Sequence, residues 1–170
     1  SYSEEMRRRS EYDVLTGLYN RAAFRQKVFG NEGIGKTCGY FIILDIDEFK
    51  GINDSYGHPF GDWILQSAAY ILKETFGSLA KIGRIGGDEF VVFLPGTTKQ
   101  SEVEQYAREA CYAFQLLDTG TDLMPSLSMG IVYAEKEPLR YEEFYRRADE
   151  ALYQVKKQSK NGYAFWQQFA

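Results

Sequence analysis

The spacing of apolar residues changes period several times along the chain, and each change marks an element. Tyr40-Phe41-Ile42-Ile43-Leu44 is a continuous apolar run that ends abruptly in Asp45-Ile46-Asp47. Such a run reads as a central strand covered on both faces, with carboxylates at its C-terminal end. Lys81 to Ile85 and Glu89 to Leu94 read as two short strands joined by Gly86-Gly87-Asp88, a tight hairpin signal. Leu127 to Tyr133, interrupted by Gly130, is a further strand, and Tyr163 to Trp166 is a short last one.

Helical spacing accounts for most of the rest. Residues 2 to 12 are strongly charged, with Glu4 and Glu5 four before Arg8 and Arg9, which supports an exposed helix and makes Arg7, Arg8 and Arg9 a solvated face. A second helix is expected from Arg21 to Phe29, followed by a Gly-rich loop from Gly30 to Gly39. Pro59 opens a helix in which Ile64, Ala68, Ile71 and Leu72 share a face, and which should stop near Gly77. Val103, Ala107, Ala110, Phe114 and Leu117 mark another, and Phe144, Ala148, Ala151 and Val155 the last. Each amphipathic stripe needs a sheet face to cover, so a mixed sheet with helices packed on it follows.

At 170 residues the chain has the size of one domain, and 44% hydrophobic content with only 4 Pro excludes a disordered or low-complexity class. With 24 acidic against 20 basic side chains the net charge is -4, which excludes a large basic footprint for nucleic acid but not a small anion in a local pocket. Cys38 and Cys111 read as free buried thiols, which favours a reducing compartment. No apolar run approaches the ~20 residues that cross a bilayer, so no membrane contact is expected from this stretch itself. The chain begins inside a helix already under way.

The acidic clusters carry the candidate chemistry. Divalent Mg²⁺ prefers hard oxygen ligands and keeps substrate phosphates in its shell, so phosphoryl transfer calls for carboxylates. Asp45 ends the apolar strand, and Asp88 with Glu89 sits in the hairpin; if the two strands are neighbours, the clusters converge at one edge of the sheet. Gly86 and Gly87 clear side chains from the approach to a phosphate. Any single Asp is more often a strand cap, and Lys156 and Lys160, taken alone, are ordinary cations at a helix C-terminus.

Arg84-Ile85-Gly86-Gly87-Asp88-Glu89-Phe90 resembles the signature of the GGDEF family of diguanylate cyclases, and further segments resemble that family in order around it. They are Asp13 to Arg21; Asp45-Ile46-Asp47-Glu48-Phe49-Lys50 with Asn53-Asp54, Tyr56-Gly57-His58 and Gly61-Asp62; Ser128-Met129-Gly130; and Ala148 to Tyr153 with Lys156, Lys160 and Asn161. The resemblance runs from about Asp13 to Gly162. It divides the chain into residues 1–12, a helix or linker from an upstream signalling region, and residues 13–170, a GGDEF domain. The implied fold is α+β, a palm-like (ferredoxin-like) mixed sheet flanked by helices, of nucleotidyl cyclase type.

The implied reaction condenses two GTP into cyclic di-GMP with loss of pyrophosphate, in a transient or regulated homodimer of half-sites, in the bacterial cytoplasm and tethered through a region outside this chain. Asp45, the carbonyl of Ile46, Asp88 and Glu89 are the implied ligands of Mg²⁺ (or Mn²⁺), and Asp88 and Glu89 the implied catalytic pair, with the choice between them for deprotonating the ribose hydroxyl left open. Phe49, Lys50, Gly86, Gly87, Lys156 and Lys160 are the implied phosphate contacts. His58 lines the pocket or holds the loop at a helix start. Asn53 and Asp62 fall to the base: guanine offers adjacent donors at N1 and N2, whereas adenine N1 would oppose the Asp62 carboxylate. Thr16 and Asn20 read as turn residues, and Phe41, Phe90, Phe93 and Trp166 as core or sheet-face side chains.

Two other classes stay open at the level of sequence: a regulatory module that binds GTP without turnover, and a cyclase with a mixed guanine–adenine product. The chain also departs from a frequent family pattern, because Gly77 and Ala80 stand where an inhibitory Arg-x-x-Asp pair would bind product. No inhibitory site is therefore expected.

Overall fold

The computed structural model describes residues 1–30, 38–96, 99–135 and 140–167, with the side chain of Arg8 left out. Two helices lead, α1 (Tyr2–Glu11) and α2 (Arg21–Phe29), followed by strand β1 (Gly39–Ile46). Next come α3 (Phe49–Tyr56), α4 (His58–Phe76), and the hairpin strands β2 (Lys81–Gly86) and β3 (Glu89–Pro95). Helix α5 (Gln100–Gln115), β4 (Leu127–Ala134), α6 (Tyr141–Gln158) and β5 (Gly162–Phe165) complete the chain.

The five strands form one mixed sheet in the order β2-β3-β1-β4-β5. β1 runs antiparallel to both β3 and β4, while β5 adds parallel to β4. The unbroken apolar run of β1 follows from its central place, since Tyr40 to Leu44 are buried on both faces. On one face Tyr40, Ile42 and Leu44 meet α4 and α5 through Ile64, Leu72 and Phe114. On the other, Phe41 and Ile43 meet α2 and α6 through Phe24, Phe29, Phe144 and Leu152. Phe41 lies 6.3, 6.0 and 5.8 Å from the rings of Phe24, Phe29 and Phe144, so this face is an aromatic cluster. Removing a ring of this kind costs about 3–5 kcal/mol.

Helix α6 is seated unusually close on the sheet. A Cβ at Gly130 of β4 would come within 2.0 Å of the Ala148 carbonyl oxygen and 2.6 Å of the Leu152 nitrogen. Only glycine allows that approach. Its effect is to bring the last turns of α6 over the C-terminal end of β1, where the acids are.

Helix α3 is an element that periodicity did not anticipate. It has eight residues, only Ile52 is fully buried, and Gly51, Asn53 and Asp54 are weak helix formers. Helix α5 stops at Gln115, so Leu117 lies past its end while still packing on the core. Asn20 caps α2 by accepting from the Ala23 amide at 2.9 Å, and Thr16 donates to Asp13 within the preceding turn. Cys111 is buried and Cys38 half-buried, both as free thiols. The loop expected from Gly30 to Gly39 falls largely on residues 31–37, outside the described residues. Among those described, no helix is long and apolar enough to cross a membrane.

Candidate active site

Strand alternation puts Asp45 and Asp47 on the same face as Phe41 and Ile43, the face that α6 covers. Asp45 is opposite Glu89 of β3 and opposite Ser128 of β4 in the strand register. The two acidic clusters therefore meet at one sheet edge, beside the turn Gly86-Gly87-Asp88. A Cβ at Gly86 or Gly87 would meet nothing within 4 Å, so the approach over the turn is open. Arg84 holds this turn from behind: Nε donates to the Gly87 carbonyl at 2.8 Å, and Nη1 reaches both carboxylate oxygens of Asp13, at 3.1 and 3.2 Å.

The acids differ in their surroundings. Asp47 is 5% exposed and accepts four hydrogen bonds, from Ser126 Oγ (2.6 Å), Ser128 Oγ (2.7 Å), Lys156 Nζ (2.8 Å) and the Asn161 amide (3.0 Å). Burial pushes its pKa up, but these four donors outweigh burial and hold it below the ordinary value. Asp45 has no such set. Lys156 Nζ lies 2.5 Å from Asp45 Oδ1, yet off the hydrogen-bonding direction, so this buried oxygen has no directed partner. Burial, together with the charges of Asp88 and Asp47, pushes Asp45 up to about 6 against the pull of Lys156. Glu89 is also raised, chiefly by burial, with Asp149 and Asp88 adding to it. Tyr145 Oη donates to Glu89 Oε1 at 2.6 Å and opposes that rise.

Lys156 and Lys160 divide. Lys156 sits between Asp45 and Asp47, whereas Lys160 pairs with Glu48. Glu48, Lys160 and Asn161 are the described non-glycine residues with positive φ, at 55, 53 and 46°. All three gather at the end of β1, where the turn after α6 must tighten for the Asn161 amide to reach Asp47. Strained backbone of this kind persists when surrounding bonds over-determine it, and it concentrates at functional sites.

Glu48 also precedes α3 without capping it, and α3 has no acid in its first turn. The amides of Phe49 and Lys50 therefore lie where a helix has no internal acceptors, a position suited to an anion. Asn53 follows on α3 and packs against Gly61 of α4, where a Cβ would sit 1.8 Å from Asn53 Oδ1. That contact brings Asn53 beside the start of α4, where His58 is the first residue and Asp62 follows just past the first turn, which itself holds no acid; both side chains are exposed. Gly77 and Ala80 lie elsewhere, lining a shallow crevice with Tyr12, Tyr19 and Lys73.

Among the described residues, no three His, Cys, Asp or Glu side chains form a ready-made metal cage. The donor chemistry nevertheless fits a divalent cation. Asp45 Oδ1 lacks a directed partner, Asp88 and Glu89 are hard oxygen donors alongside it, and Mg²⁺ takes only one or two protein carboxylates when substrate phosphates complete its shell. Two side chains that the structure places within the site's hydrogen-bond network escaped the sequence reading. Tyr145 carried no signal beyond its place one residue after the core position Phe144, and the role of Asp47 could have been found from its parity with Phe41 and Ile43.

A palm-like α+β sheet with acids at the end of its central strand and on the neighbouring hairpin defines a nucleotidyl cyclase type of protein. The sequence model of the diguanylate cyclase GGDEF domain matches residues 10–162, and the chain belongs to that family. It is 35% identical over 162 residues to the diguanylate cyclase DgcP of Pseudomonas aeruginosa, covering 92% of this chain and 24% of that one. It is 36% identical over 159 residues to DgcN of Escherichia coli, covering 91% and 39%. The chain thus spans well under half the length of these relatives. The crystal structure of the coiled coil and GGDEF domain of DgcB from Caulobacter crescentus, in complex with c-di-GMP, superposes with a TM-score of 0.85 at 27% identity, covering 96% of this chain and 90% of that one. GGDEF diguanylate cyclases are metal-dependent in general.

Proposed function

We propose that this chain condenses two GTP molecules into cyclic di-GMP, releasing pyrophosphate from each. The observation that carries the reading is the cross-strand pairing of Asp45 with Glu89 beside an open diglycine turn. Each 3′-oxygen forms a bond to the α-phosphorus of the other nucleotide while the bond to pyrophosphate breaks. Glu89 is suited to take the hydroxyl proton: Tyr145 engages Oε1, and among the described residues Oε2 has no hydrogen-bond partner. Asp88 adds negative charge next to it.

Mg²⁺ or Mn²⁺, when bound, would be held by Asp45, the Ile46 carbonyl, Asp88 and Glu89 and would neutralise charge on the transferred phosphoryl group. The amides of Phe49 and Lys50, the open face over Gly86 and Gly87, and the ammonium groups of Lys156 and Lys160 supply the remaining phosphate contacts. Asn53 and Asp62 select guanine, and His58 holds the start of α4 beside them. One domain offers one half-site, so the reaction needs two protomers facing each other, and assembly supplies the proximity. Residues 1–12 connect the domain to an upstream region that controls this assembly in the bacterial cytoplasm.

Incubation with Mg²⁺ and GTP, ATP or both, followed by mass identification of products, tests the reading. Cyclic di-GMP from GTP alone is the expected outcome. Binding of GTP without turnover would favour a regulatory module, and a mixed guanine–adenine product would move the specificity.

A further inference from the structure

We infer that Lys156 is a displaceable cation standing at the metal position of Asp45, and that Asp47 retains it at the site when a metal ion arrives. The inference rests on the reading of Asp45 as a metal ligand. Lys156 Nζ lies 2.5 Å from Asp45 Oδ1 and 2.8 Å from Asp47 Oδ1, and the two carboxylates are unequal partners. Asp47 is buried and fixed by Ser126, Ser128 and the Asn161 amide, and its contact with Lys156 is a directed hydrogen bond. Asp45 is more open, its side chain 24% exposed, and its contact with Lys156 is a close ion pair that leaves Oδ1 without a well-directed hydrogen bond.

Without metal, one ammonium is the partner shared by these two carboxylates, with Asp88 and Glu89 nearby. A divalent ion at Asp45 would lie within a few ångströms of that ammonium, and like charges in a half-buried site repel strongly. Lys156 has a flexible four-carbon stem and three rotatable donors, so Nζ can leave Asp45 while keeping Asp47. The phosphates of a nucleotide then offer the released donors a new acceptor. Metal alone should therefore bind weakly, and metal with triphosphate cooperatively.

The test measures Mn²⁺ binding to the nucleotide-free protein by the electron paramagnetic resonance of free Mn²⁺. Lys156→Met should bind Mn²⁺ about tenfold more tightly than the unmutated protein, because the competing charge is gone. Lys156→Arg, whose fork grips two carboxylates together, should bind it no better than the unmutated protein. Asp45→Ala should abolish binding. Equal affinity in Lys156→Met and the unmutated chain, with Asp45→Ala still inactive in binding, would overturn the stand-in role alone. Undiminished binding in Asp45→Ala would overturn the metal reading beneath it. A measurement on the unmutated protein guards against variants that fail to fold: saturating Mn²⁺ should speed acylation of Lys156 by an amine-reactive ester, quantified by mass spectrometry. Unchanged reactivity would show that the ammonium never leaves Asp45.

Discussion

Tyr145 of α6 donates a hydrogen bond to Glu89 of β3 at 2.6 Å, which ties the helix that carries Lys156 to the strand that carries the proposed proton acceptor. A hydrogen bond to an ionised acceptor contributes about 1.5–3 kcal/mol. Tyr145→Phe keeps the ring and removes only this bond. Steady-state kinetics should therefore give a kcat lowered roughly ten- to a hundredfold, with KM for GTP little changed. An unchanged kcat would mean that Glu89 keeps its orientation without Tyr145.

The metal-free protein carries a cost at Asp45. Its folded pKa of about 6 exceeds the ordinary 3.8, so the folded state holds the proton more tightly than the unfolded state does. Stability from this group is therefore present at low pH and declines as pH rises from about 4 to about 6, by about 3 kcal/mol. Asp45→Asn should raise metal-free stability by that order at pH 8, have little effect at pH 4, and abolish turnover. Urea denaturation at the two pH values checks the sign. Destabilisation at pH 8 would show that Lys156 stabilises the ionised carboxylate more than burial opposes it.

Base selection is proposed to fall to Asp62 and Asn53 at the α3–α4 junction. GTP should be turned over in strong preference to ATP, and Asp62→Ser should narrow the ratio of kcat/KM values by about a hundredfold. Competition assays with both nucleotides read this directly, and an unaltered ratio in the variant would assign the choice to other groups.

Gly77 and Ala80 bring neither a guanidinium nor a carboxylate to their crevice. Cyclic di-GMP should accordingly bind only weakly away from the active site and give weak non-competitive inhibition. Calorimetry and rate assays with added product measure both. Submicromolar binding that survives Glu89→Ala would reveal another product-binding surface.

Much of this was legible in the chain because burial and chemistry coincide there. The run from Tyr40 to Leu44 announces a strand covered on two faces, and the diglycine announces the hairpin that sets Glu89 opposite Asp45. Helix α3 was not legible, since a single fully buried residue, Ile52, leaves no periodic stripe. Tyr145 sits among Glu142, Glu143, Arg146 and Arg147, so its sequence neighbours suggest an exposed position. Only the seat of α6 over Gly130 brings it to Glu89. Asp47 read as one more acid of a motif, and its burial beneath the last turn of α6 depends on the sharp turn through Lys160 and Asn161.

The central claim is that the acids at the end of β1 and on the β2–β3 hairpin make the phosphodiester bonds. Cyclic di-GMP formation from GTP and Mg²⁺, quantified by mass for the unmutated chain, Asp88→Ala and Glu89→Ala, with circular dichroism to establish the fold, tests it most directly. The account predicts product from the unmutated chain and rates lower by about a thousandfold or more in both folded variants. Near-normal rates in both variants would contradict it.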